Sequence, residues 1–159
     1  MRSKAAIGGH PIHPALVAIP IGAFTFTLVA DLIRWRTGNP GWGDAARYAL
    51  VVGIIGALAA AAAGLVDYFG VTMSTAGFKV ARLHMILNLT AVALFALSLW
   101  LRYRDPDGWC VPGFLASTLA YLVVSGSGYL GGELVFKHKV GVMETADREA
   151  TELGQKDAR

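Results

Sequence analysis

The chain has 159 residues, a net charge of +3, 55% hydrophobic residues and only 16% charged ones. Soluble domains carry about 25% charge and disorder needs high charge with low hydrophobicity, so an ordinary soluble globule and a disordered chain are both excluded. The single cysteine, Cys110, excludes an intrachain disulfide and the multi-thiolate zinc and iron–sulfur sites.

Four apolar spans are long enough to cross the hydrocarbon of a bilayer, which takes about 20 helical residues. The first runs from Ala15 to Ile33 and contains Pro20 and Asp31. Its length, and Asp31 in place of a small-residue cleavage site, argue against a signal peptide. The cluster Thr37-Gly38-Asn39-Pro40-Gly41 predicts a turn. The second span, Tyr48 to Val66, is free of charge until Asp67. It carries Gly56, Ala60 and Gly64 at four-residue spacing, which lets helices approach closely in lipid.

Ser74 or Thr75 is placed to cap the third span, Ala76 to Leu101, which has Lys79 and Arg82 in its opening turns. A second turn cluster, Asp105-Pro106-Asp107-Gly108, leads to the fourth span, Val111 to Leu130. That span ends in a glycine-rich run through Gly131 and Gly132, suited to close packing or to the close approach of a flat cofactor. Residues 143–159 read as a polar tail after a membrane domain of residues 1–142. No strand alternation is seen. Backbone groups in lipid must be satisfied within their own segment, and short loops force neighbours antiparallel. The expected fold is an all-α membrane protein, an antiparallel four-helix transmembrane bundle.

This topology sorts the unusual residues. Trp35, Trp42, Trp100 and Trp109 fall on one face, B, as an interfacial aromatic belt. His10, His13, His84 and His138 fall on the other, face A, with Asp67 and Glu133. Asn88 shares a helical face with His84. Ionisable groups at membrane depth face the bundle interior and mark functional sites. Neutral imidazole ligates haem iron, copper and zinc, and Lys79, Arg82 and Lys137 lie where haem propionates would need cations. His-Glu-x-x-His, P-loop and dinucleotide fingerprints are all absent. Basic residues divide almost evenly between the faces, so charge does not set the orientation.

Several segments resemble one family. They are His10-Pro11-Ile12-His13-Pro14, Ile19-Pro20-Ile21-Gly22, Gly64-Leu65-Val66-Asp67-Tyr68, Leu83-His84-Met85 with Asn88, and Gly131-Gly132-Glu133-Leu134-Val135-Phe136 with His138. Together, from His10 to Val142, they are similar to bacterial membrane proteins of the domain-of-unknown-function family 2231. The resemblance implies four membrane helices in the bacterial inner membrane and a fold similar to transmembrane cytochromes b. It further implies membrane electron transfer with haem b. The Rieske domain of some relatives is missing, so an iron–sulfur or cytochrome partner would be a separate protein, and quinone is the other candidate.

The leading expectation is therefore a b-type cytochrome-like electron carrier or redox subunit rather than a stand-alone catalyst. His84, taken as deepest, is the first ligand; His13 is its partner, His138 the next candidate, and His10 lies furthest out. Asp67 and Asn88 would orient an imidazole through its other nitrogen, and Arg82 and Lys79 would meet propionates. Two rivals stand beside it: a structural or scaffolding membrane protein, and a copper or zinc protein using His84, His13 and His138. The expected surroundings are the lipid bilayer, with no nucleic acid and with homo-oligomer formation left open.

Overall fold

The computed structural model describes residues 3–142; the polar tail expected over 143–159 lies outside the described residues. Four helices follow one another: α1 (Ile12–Thr37), α2 (Pro40–Gly70), α3 (Thr75–Arg104) and α4 (Val111–Phe136). All four are long and apolar enough to cross a membrane. Each extends past the apolar window expected for it, because the hydrocarbon limits only the apolar part of a helix while caps decide where it stops. Gly38 ends α1 in the left-handed conformation, φ 71°. The Asn39 side chain accepts from Gly41 N, with Pro40 in the first helical position, and opens α2. Ser74 caps α3 by accepting from Gly77 N. The glycine-rich run does not end α4, which continues to Phe136.

One element is missed by the sequence pattern. A two-stranded hairpin, β1 (Ala6–Ile7) and β2 (His10–Pro11), precedes α1. Gly8 and Gly9 make its turn at φ 56° and 81°, values that a two-residue hairpin favours and that glycine adopts without strain. Asp67 ties this arm to the end of α2: its Oδ1 accepts from Lys4 N at 2.7 Å and Ala5 N at 3.0 Å, and both its oxygens lie 2.8 Å from Ser3 Oγ.

The helices pack as two hairpins, α1 with α2 and α3 with α4, each closer within itself than to the other. Small residues make this possible. A Cβ on Gly53 would run into the Phe24 ring, and one on Gly56 would meet Ile19 at 3.0 Å. The expected close-packing face of the second span therefore looks at α1. The core between the hairpins is built from Phe24, Leu50, Ala91, Phe95 and Ala120.

The two hairpins repeat. Asp31 of α1 and Arg102 of α3 are ion-paired across the bundle, 71 residues apart. The same separation relates the stacked rings of Phe24 and Phe95, 3.6 Å between centroids, and the rings of His13 and His84. It also relates the buried pairs Pro20 and Ala91, and Thr27 and Ser98. In α2 and α4 the buried Ala46, Leu50, Gly53 and Ala60 correspond at one constant offset to Gly113, Ser117, Ala120 and Ser127. Since α1 and α3 run the same way, the halves are parallel repeats about an axis along the membrane normal. Down that axis stand an imidazole pair, a phenyl pair and an ion pair, the first and last about 27 Å apart at a helical rise of 1.5 Å per residue.

Candidate functional site

At face A the axis is occupied by His13 and His84. Their ring centroids are 6.4 Å apart and their planes are perpendicular, at 87°. His84 is thus level with His13, contrary to the expectation that it lies deepest. The opening turns of α3 project outward beyond the start of α1, and the β-hairpin arm occupies the corresponding stretch of the first half.

Each imidazole is positioned in the same way. His13 Nδ1 lies 2.7 Å from Ala60 O, and His84 Nδ1 lies 2.8 Å from Ser127 O. A carbonyl only accepts, so each ring carries a proton on Nδ1, and in a neutral imidazole the lone pair is then on Nε2. Four residues beyond each carbonyl is a glycine. A Cβ on Gly64 would meet the His13 ring at 3.1 Å, and one on Gly131 would meet the His84 ring at 3.1 Å. The missing side chains are what let each ring approach its partner helix this closely. Among the glycines of the fourth span's end this explains Gly131; around Gly126, Gly128 and Gly132 there is open space.

Asn88 lies beside His84, but at Nε2 and not at the ring's other nitrogen, which is held by the Ser127 carbonyl. Its Nδ2 lies 3.1 Å from His84 Nε2, 2.9 Å from His84 O and 2.8 Å from Ser127 Oγ. The remaining expected residues are placed elsewhere. His138 sits at the start of α3, against Gly77, with Nε2 4.0 Å from Glu133 Oε1. Glu133 also binds Lys137 Nζ at 2.8 Å, and this hydrogen bond raises the Lys137 pKa. His10 is exposed in β2. Asp67 is engaged by the N-terminal arm, a different task from the imidazole contact expected of it. Lys79 and Arg82 are exposed on the opening turns of α3.

At face B the structure brings together a cluster that the sequence pattern left unassembled. Asp31 and Arg102, both with no exposed side-chain surface, form a bidentate pair with both distances 2.6 Å. Arg102 Nε donates to Ser98 Oγ, Ser117 Oγ donates to Asp31 Oδ2, and Trp109 Nε1 donates to Asp31 Oδ1 at 3.1 Å. Trp109 is therefore a partner of a buried carboxylate and not simply a member of the interfacial belt. The signal was available: Asp31 is the acidic residue in the first span, and a charge there needs a partner. Its partner could not be chosen from the arginines of face B by spacing alone.

Fold and site together define a four-helix transmembrane protein with a paired-imidazole centre at one membrane face. Residues 9–144 match the model of a family described as predicted membrane protein (DUF2231), and the chain belongs to that family. No curated protein and no solved structure matches it.

Proposed function

We propose that the protein is a b-type cytochrome-like electron carrier of the bacterial inner membrane, with His13 and His84 as the two axial ligands of one haem. The observation that carries this is the 6.4 Å separation of two perpendicular rings whose Nδ1 atoms are both spent on backbone carbonyls. Metal–imidazole bonds are about 2 Å long, so two imidazoles on one metal have ring centres about 6 Å apart. Two rings in this tautomer cannot hydrogen-bond to each other through Nε2, since both atoms are acceptors.

Backbones stand further apart between the hairpins than within them, which supports a group lying between the two halves at the histidine end. Ala60 O and Ser127 O would fix the tautomer and orientation of each ring. Lys79 and Arg82, exposed at the same face, would meet propionates. The haem would supply a one-electron couple near face A, and quinone or a separate iron–sulfur or cytochrome protein would exchange the electron. A copper or zinc ion held by protein alone wants three or four donors. Among the described residues no three His, Cys, Asp or Glu side chains gather to hold a metal ion; a porphyrin needs only the two imidazoles.

The test is the visible spectrum of detergent-purified protein produced with ample haem, oxidised and then reduced with dithionite. A Soret band with a sharp reduced α-band is expected. Colourless protein that also fails to take up added haemin overturns the reading.

A further inference from the structure

The repeat is broken at the site itself. The counterpart of Asn88 in α1 is Val17, and the counterpart of Ser127 in α2 is Ala60. Among the described residues, the second hairpin dresses its imidazole with these polar side chains and the first has apolar ones in their places. His84 O, an acceptor 2.9 Å from Asn88 Nδ2, fixes the amide with its NH2 group toward the ring. That group has two hydrogens and three acceptors in reach: His84 O, Ser127 Oγ at 2.8 Å and His84 Nε2 at 3.1 Å. The contact to Nε2 is the longest of the three. Giving it up leaves both hydrogens satisfied. His13 has valine in the place of this amide.

We propose that Asn88 is a latch on the site: it holds the lone pair of His84 in reserve, so an incoming electrophile or metal engages His13 first and His84 second. Asn88 acts through His84 and is a positioning residue. Applied to haem, the proposal rests on the axial-ligand reading above and gives it an order. A single-histidine form on His13 precedes the two-histidine form, and the release of one amide contact separates them.

The latch is tested first without haem. Diethylpyrocarbonate modifies the unprotonated imidazole nitrogen, and peptide mapping resolves the rate at each histidine of the full-length protein in detergent. In the unaltered chain His13 reacts faster than His84. Asn88→Val gives α3 the residue that α1 has, and the His84 rate should rise roughly tenfold, the factor that one net hydrogen bond is worth. The His13 rate in the same sample reports whether the fold is kept. Equal rates at His13 and His84 in the unaltered chain overturn the proposal, as does a His84 rate unmoved by Asn88→Val while the His13 rate is kept.

The second arm is haemin titration. The unaltered protein should pass through a high-spin species before the low-spin one, and Asn88→Val should go directly to low-spin. Failure of haemin to bind at all would remove the haem reading and leave the latch to the labelling rates. Binding without the high-spin species in the unaltered protein would keep haem and overturn the latch.

Discussion

The two ends of the pseudo-symmetric axis use corresponding positions of the repeat for opposite purposes. At face B the positions hold unlike groups, Asp31 and Arg102, which satisfy each other in two 2.6 Å contacts while Ser98, Ser117 and Trp109 use the donors and acceptors left over. At face A they hold identical groups, His13 and His84, which cannot satisfy each other. Each spends Nδ1 on a backbone carbonyl, and the Nε2 of His84 meets Asn88. A complementary pair closes a bundle. An identical pair needs partners from outside itself, so the axis is closed by its own two residues at face B and by carbonyls and an amide of the bundle at face A.

Breaking face B should have the largest effect on stability. Arg102→Ala leaves the Asp31 carboxylate buried and unpaired, a loss of about 3–5 kcal/mol, read as a fall in the thermal midpoint in detergent. His84→Ala, by the same measurement, should cost about 1–3 kcal/mol, since Asn88 and the Ser127 carbonyl lose neutral partners only. If both variants melt alike, the two ends do not differ in the way described.

The comparison can be sharpened by exchanging the charges. Asp31 and Arg102 occupy equivalent positions, so Asp31→Arg combined with Arg102→Asp should recover much of the stability that either change alone removes. The coupling is read from a double-mutant cycle. Additive losses would mean that the surrounding serines and Trp109, not the repeat, dictate which half carries which charge.

The middle of the axis is next in size. Gly53→Ala pushes a methyl group into the Phe24 ring beneath the stacked phenyl pair, and overpacking of this sort costs about 1–3 kcal/mol. Gly126→Ala, where nothing lies within 4 Å of the added atom, should leave the midpoint unchanged. Apart from that control, the smallest effect on melting is expected at the arm, which can open without the helices. Asp67→Ala removes acceptors for Lys4 N and Ala5 N, each hydrogen bond worth about 1 kcal/mol. Its signature is faster protease cleavage within residues 3–11 with the helices still intact.

The bundle was legible in the sequence because the bilayer imposes a length and an internal hydrogen-bonding rule on every span. The gathering of histidines at face A was legible because four spans with short loops assign each residue to a side. The meeting of His84 with His13 was named as the first choice, but the packing that selects it was not visible. His13 and His84 meet because Gly64 and Gly131 admit their rings, while His138 is drawn to Gly77 and Glu133. Asn88 could be placed beside His84 from four-residue spacing on a helix. Asp67 could not be paired with Ser3, Lys4 and Ala5, because nothing in the local pattern folds the arm back onto α2. The repeat was hidden because most of its paired positions differ in residue type, as Asp31 differs from Arg102 and Leu50 from Ser117. Shared position shows there in burial, and burial is a property of the folded chain.

The central claim is that His13 and His84, and no other histidines, hold one haem between them. It is tested most directly by the haem content per mole of monodisperse protein for the unaltered chain and for four alanine variants. A ratio near one is expected for the unaltered chain and for His10→Ala and His138→Ala. A severe loss is expected for His13→Ala and a smaller loss, with conversion to a high-spin spectrum, for His84→Ala. Full haem retained in His13→Ala, or haem lost with His138→Ala instead, would contradict it.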